Sequence, residues 1–78
     1  MIRRIENVKD WQDLVNELRK HQGSSVQHVA ELSGMTNPTL YKLLTQESNP
    51  TLKTLLKVSH CLGYTLMATQ SPTYYETL

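Results

Sequence analysis

The feature that most limits the fold of this chain is a single glycine, Gly34, between two short stretches with helical spacing. The stretch before it carries an apolar stripe at spacings of three and four residues, formed by Val26, Val29, Ala30 and Leu32. The stretch after it has a second stripe, formed by Leu40, Leu43 and Leu44. Because glycine adopts the left-handed backbone that ends a helix at low cost, Gly34 predicts a sharp turn between two helices.

Polar residues mark where both helices begin. Ser24 or Ser25 caps the first, and Ser24 with Gln27 fits a capping box. Thr36 or Asn37 caps the second, with Pro38 where a missing N–H costs nothing. The residues predicted to point outward from the second helix are Asn37, Thr39, Tyr41, Lys42 and Thr45. Two short helices around a glycine-containing turn are typical of a helix-turn-helix, whose second helix enters the DNA major groove.

The length of 78 residues predicts one small domain, over residues 1–70, followed by a flexible tail at 71–78. A single cysteine, Cys61, excludes an intramolecular disulfide, so a partner subunit is the expected source of additional burial. No apolar run reaches the roughly 18 residues of a membrane span, and the start lacks a signal peptide's apolar core. We therefore expect a soluble, cytoplasmic protein without membrane partners.

The net charge of +1 gives weak support for nucleic-acid binding on its own. The charge is unevenly distributed, however. Between residues 32 and 75 the only acidic residue is Glu47, against the lysines Lys42, Lys53 and Lys57. The half of the chain that would face DNA is therefore the basic half.

A first helix is predicted at about residues 8–21, with Asn7 as its cap and Gln22-Gly23 at its end. Its apolar stripe consists of Val8, Trp11, Leu14, Val15 and Leu18. The preceding residues 1–6 are a short strand or a loose arm. Arg3 and Arg4 there suit phosphate contacts or are simply solvated.

A fourth helix is predicted at about residues 52–62, capped by Thr51 and stopped by Gly63, after the helix-turn-helix at about 25–45. Its predicted inner face consists of Leu52, Leu55, Leu56, Ser59 and Leu62. Residues 64–69 are rich in strand-forming residues and predict a short strand. A lone strand needs a hydrogen-bond partner, which is either the same strand of a second subunit or residues 2–5.

No enzyme, metal or cofactor site is predicted. The three histidines, His21, His28 and His60, lie at spacings unsuited to a helical metal pair, and Cys61 has no second cysteine. His60 and Cys61 are adjacent, so on a helix they point about 100° apart and cannot form a nucleophile–base pair.

Four features carry a resemblance to a known family: Val29-Ala30, Gly34 in the turn, Leu40, and the run Asn49-Pro50-Thr51-Leu52. Together they resemble the lambda-repressor-like helix-turn-helix family of Cro and cI, over residues 10–66. The stretch LYKLLTQESNPTLKTLLKVSHCLGYTL is similar, more narrowly, to addiction-module antidotes, the DNA-binding antitoxins. The resemblance implies an all-α, compact four-to-five-helix DNA-binding domain. It also implies dimerisation through the C-terminal strand, by Tyr64, Leu66, Met67 and Ala68.

The resemblance also implies which residues contact double-stranded DNA. Base contacts are expected from Thr36, Asn37, Pro38, Tyr41 and Lys42. Contacts to the DNA backbone are expected from Ser25, Gln27, Thr39, Thr45, Ser48, Asn49 and Lys53. Asn37 can pair with adenine and Lys42 with guanine, whereas Pro38 departs from the polar residue often found there and offers only apolar contact. Tyr41 reaches a phosphate or the sugar edge.

The leading hypothesis is a homodimeric repressor that reads a palindromic operator in the major groove and autoregulates its own operon. The alternative is an antitoxin that neutralises a cognate toxin by direct binding, through its first helix or residues 64–78. A helical domain without any role on DNA is the third reading. That reading predicts that Asn37→Ala and Lys42→Ala leave every activity intact.

Overall fold

The computed structural model describes residues 2–68 and is helical in that part of the chain. The helices are α1 (Val8–His21), α2 (Val26–Ser33), α3 (Asn37–Thr45) and α4 (Leu52–Cys61). The expected all-α architecture is therefore confirmed, with four helices in the described residues. No helix in this part of the chain combines the length and apolarity needed to cross a membrane.

Each helix begins at a side-chain oxygen that accepts the backbone N–H three residues further on. The four caps are Asn7, Ser25, Thr36 and Thr51. This decides both alternatives left open by the sequence, in favour of Ser25 over Ser24 and of Thr36 over Asn37. The predicted capping box of Ser24 with Gln27 is wrong, because the hydroxyl of Ser25 accepts from His28 N at 3.0 Å.

The core lies between α3 and its two neighbours, with α3 packed on α1 and α2, and α2 packed on α4. Its buried apolar residues are Trp11, Leu14, Val15, Leu18, Val29, Ala30, Leu40, Leu43, Leu44, Val58 and Leu62. Trp11 also joins α1 to α4. Its indole Nε1–H donates to Ser59 Oγ at 3.0 Å, and both residues are buried.

The predicted inner faces of α2 and α4 are wrong at three leucines. Leu32 is 56% exposed, Leu52 65% and Leu56 45%. Two residues that the sequence did not assign to the core, Ser33 and Val58, are fully buried. Ser33 can replace an apolar residue there because its hydroxyl donates to Val29 O at 2.7 Å, so burial leaves no polar group unpaired.

Residues 64–68 form no strand within the described part of the chain, and neither does the arm at 2–6. In this part of the chain the two segments do not pair with each other, so neither has the ladder partner that a strand needs. Instead the backbone N–H of Tyr64 donates to Ser59 O at 3.0 Å, and its side chain packs on the core together with Ile5. Residue 69, at the end of the expected strand, and the tail at 71–78 lie outside the described residues.

The arm is attached to α1 by an ion pair between Arg3 and Glu17, with Nη1 2.9 Å from Oε2. Arg4 makes a longer contact with Glu6 at 3.4 Å. The hydrogen bond from Arg3 and its positive charge lower the pKa of Glu17, and the reciprocal interaction raises the pKa of Arg3. The contribution of this pair to stability is therefore present above the ordinary carboxyl pKa. It is lost as the pH falls through the lowered pKa of Glu17.

We predict that Arg3→Gln raises the pKa of Glu17 towards its ordinary value, because the donor and the charge that stabilise the carboxylate are removed. A pH titration of the side-chain carboxyl signals by NMR measures this directly. Arg4→Gln is the matched control, since Arg4 contacts Glu6 and should leave Glu17 unaffected. An unchanged pKa of Glu17 in Arg3→Gln would show that this ion pair is not formed in solution.

Candidate nucleic-acid interface

The turn between α2 and α3 depends on Gly34, whose φ is +70°. This left-handed residue lets the backbone N–H of Met35 donate to Ala30 O at 2.9 Å, which closes the end of α2. A Cβ built on Gly34 would lie 3.6 Å from the amine nitrogen of Lys57. The amine of Lys57 therefore stands beside the C-terminal end of α2, where the helix dipole favours a cation.

α3 separates a buried face from an exposed face. Leu40 is fully buried, and Leu43 and Leu44 lie on the same side. All five residues expected to contact bases are exposed: Thr36, Asn37, Pro38, Tyr41 and Lys42. α3 and its cap residue therefore expose all five side chains to solvent, while the three leucines are packed in the core.

The residues expected to contact the DNA backbone are more scattered. Ser25 and Gln27 are exposed in the cap and first turn of α2, and Asn49 and Lys53 are exposed in the loop before α4 and at its start. The other three belong to α3 or to the loop that follows it, namely Thr39, Thr45 and Ser48. Ser25 and Gln27 therefore come from α2, whereas the other five residues come from α3, the loop after it and the start of α4.

Several of these side chains already have partners within the chain. Ser25 caps α2, and the amide of Gln27 is 3.4 Å from a carboxylate oxygen of Glu31. Thr45 donates to Tyr41 O at 2.7 Å. The hydroxyl of Thr39 accepts from that of Thr36 at 2.7 Å. A DNA contact by these hydroxyls would have to share or replace these bonds.

A groove of about 350 Å³ brings α3, the following loop and α4 together. Thr39, Lys42 and Ser48, which come from both predicted contact sets, lie in its wall. The rest of the wall consists of Met35, Leu43, Gln46, Glu47, Pro50 and Thr54. Within residues 2–68 no ion pair involves Lys42, Lys53 or Lys57. None of these three positive charges is therefore neutralised by an acidic side chain in that part of the chain. In that same part of the chain no group of His, Cys, Asp or Glu side chains is suited to hold a metal ion.

Two side chains of α1 that the sequence did not single out contact the end of α3. The amide of Gln12 donates to Leu43 O at 2.7 Å and to Gln46 O at 2.8 Å. The amide of Asn16 donates to Leu44 O at 3.0 Å. The available sequence signal was the absence of a glycine at the end of α3, which leaves its last carbonyls in need of other donors.

A family model described as "Helix-turn-helix" matches residues 15–67, which include all of α2, α3 and α4. The chain belongs to this helix-turn-helix family, of the lambda-repressor type. The resemblance to Cro and cI is thereby confirmed. Helix-turn-helix proteins of this family are DNA-binding regulators of transcription. No curated protein matches the chain.

Proposed function

We propose that this helix-turn-helix protein is a homodimeric, sequence-specific repressor that reads a palindromic operator in double-stranded DNA and autoregulates its own operon. The observation that carries the proposal is the exposed face of α3, with Asn37, Tyr41 and Lys42 held outward by a fully buried Leu40. A helix with a fixed inner face and polar side chains on its outer face suits readout of the major groove. A repressor of this kind acts by covering a promoter.

The side chains of α3 suggest how bases would be read. Asn37 can pair with adenine through two hydrogen bonds, and Lys42 can donate to O6 and N7 of guanine. Pro38 offers an apolar contact to a thymine methyl group. Tyr41, which is 55% exposed, has the reach for a phosphate or a sugar edge. Thr36 combines a hydroxyl with a methyl group, so it suits either kind of contact.

Phosphate contacts would hold α3 in the groove. The first turn of α2 offers backbone N–H groups and the positive end of a helix dipole beside Ser25 and Gln27. After α3 in the chain, Ser48 and Asn49 supply polar groups and Lys53 supplies a positive charge. The hydroxyls of Thr39 and Thr45 complete the proposed set.

Dimerisation is proposed because one such module buries only about 600–1,000 Å² of protein surface on DNA, which is little for a selective site. Two copies would place their α3 helices about 34 Å apart on successive turns of the major groove. Tyr64, Leu66, Met67 and Ala68 are the proposed contact residues. Within residues 2–68 their backbone has no ladder partner, and Met67 is 83% exposed. Pairing with the same segment of a second copy would supply both hydrogen bonds and apolar burial.

The second candidate function is that of an antitoxin that neutralises a toxin by direct binding. It is favoured by two exposed leucines of α4, Leu52 and Leu56, to which the proposed DNA and dimer contacts give no role. A stable complex with a neighbouring gene product, captured by pull-down, is expected of an antitoxin and not of a plain repressor.

The proposed function is tested by a gel-shift of the purified protein against its own upstream DNA, with nonspecific competitor and at two salt concentrations. A discrete shift that resists competitor and weakens with salt is expected. Footprinting of the shifted complex then gives the spacing of the half-sites. The absence of a shift at micromolar protein would contradict operator binding by the protein alone.

We predict that Lys42→Ala weakens binding to that operator by about 1–3 kcal/mol, because the variant loses a charged donor to a base. Lys20→Ala is the matched control. Lys20 is also an exposed lysine but lies in the last turn of α1, so only a small, sequence-independent effect is expected. Unchanged affinity of Lys42→Ala, measured by titration of labelled operator, would remove Lys42 from the interface.

A further inference from the structure

The end of α3 differs from the ends of the other helices in the described chain. α1, α2 and α4 are each followed by a glycine with positive φ, namely Gly23, Gly34 and Gly63. In each case the next backbone N–H turns back to a carbonyl of the last turn, at 2.9–3.0 Å. α3 instead ends at Gln46 with φ −115° and ψ 159°, which is extended backbone. The chain therefore leaves α3 without the left-handed turn that usually satisfies terminal carbonyls.

Side chains of α1 supply the missing donors. Gln12 and Asn16 are four residues apart, so they lie on one face of α1. The amide nitrogen of Gln12 donates to Leu43 O and Gln46 O, and it makes a longer contact of 3.4 Å with Ser48 Oγ. Asn16 binds Leu44 O between them. Three carbonyls at the end of α3 are thus bound by one neighbouring helix.

These bonds add a directional restraint to the apolar packing of α3. Apolar contacts tolerate a small slide or rotation of one helix on another, because they have no preferred direction. Hydrogen bonds weaken steeply when their angle or length changes. A rotation of α3 about its axis would stretch all three bonds together. It would also move Asn37 and Lys42, which are both exposed on α3.

We propose that Gln12 and Asn16 are positioning residues that set the orientation of α3 for base readout without touching DNA themselves. This assignment rests on the proposed function, since it concerns how α3 meets an operator. Discrimination between DNA sequences requires a fixed orientation of α3. Loss of the two amides should therefore impair this discrimination. Sequence-independent attraction to phosphates needs only charge and should persist.

The test uses Gln12→Met, Asn16→Leu and the double variant, which keep much of the side-chain volume and suit a helix. Gln22→Met is the matched control. The amide of Gln22 makes the same kind of bond from the end of α1, to Leu62 O at 3.1 Å, but there it binds the end of α4. The probe is a duplex that the wild-type chain selects from a random-sequence pool, and a scrambled duplex reports nonspecific binding. Circular dichroism first establishes a temperature at which each variant is folded.

We expect the double variant to lose about tenfold or more in affinity for the selected duplex, with little change on the scrambled one. Each single variant should lose part of this, and Gln22→Met should keep the wild-type ratio of the two affinities. Equal losses on both duplexes, or the same change in ratio for Gln22→Met, would show a general effect on stability and overturn the assignment. An unchanged ratio in the double variant would also overturn it, with the proposed function intact. A wild-type chain that selects no sequence would overturn the proposed function and the assignment together.

Discussion

Leu40→Ala is expected to lower the free energy of unfolding by about 2–5 kcal/mol. Leu40 is fully buried on the inner face of α3, so truncation removes apolar contacts and leaves a cavity among α1, α2 and α3. The total free energy of unfolding of a small domain is only about 5–15 kcal/mol, so this single change would remove much of it. Urea unfolding followed by the fluorescence of Trp11, the only tryptophan, measures it.

Leu52→Ala is the matched control for this prediction. It makes the same chemical change in a helix, but Leu52 is 65% exposed, so the expected cost is within about 0.5 kcal/mol. A cost at Leu52 equal to that at Leu40 would contradict the packing described for α4. A cost at Leu52 that grows with protein concentration would instead identify it as covered in an oligomer.

Trp11→Phe is expected to destabilise the fold by about 2–3 kcal/mol, the second largest effect. Two losses combine here. The smaller ring leaves space in the core, and the buried hydroxyl of Ser59 loses the indole N–H that binds it at 3.0 Å. Because the variant lacks the fluorescent residue, unfolding is followed by circular dichroism.

Ser59→Ala and the double variant separate these two losses. Ser59→Ala alone leaves a buried indole N–H without its acceptor, which costs about 1–3 kcal/mol. When both partners are replaced, no polar group remains unpaired at this site. The double variant should therefore cost less than the sum of the single variants. Strict additivity would mean that the bond contributes nothing and that the effect of Trp11→Phe is packing alone.

The positions of the helices could be predicted from the sequence because helix starts and stops are local signals. Asn7 and Thr51 cap where they were expected, and Gly34 ends α2 in the left-handed conformation. Which face of a short helix is buried proved harder. In α4 the sequence offers leucines on two sides, and only the packing on α2 decides that Val58 is buried and Leu56 is not.

The exposed face of α3 could also be predicted, because three leucines fix the inner side and leave the polar residues outside. Gln12 and Asn16 could not be found in the same way. Their partners, Leu43 O and Leu44 O, are 31 and 28 residues away along the chain, and glutamine and asparagine on a helix normally read as solvated. The prediction of a strand at residues 64–69 was limited for the same reason, since strand formation depends on a partner that no local pattern identifies.

The bond between Trp11 and Ser59 has a consequence for how the chain is made. The two residues are 48 positions apart, so Trp11 is synthesised well before the residue that accepts its hydrogen bond. At about 5–20 residues per second, the delay is roughly 2–10 s. During that interval Trp11 and its apolar neighbours on α1 lack the α4 residues that pack with them in the folded domain. Because α4 contributes Val58 to the core and Ser59 to this bond, the core is complete only after α4 has been synthesised.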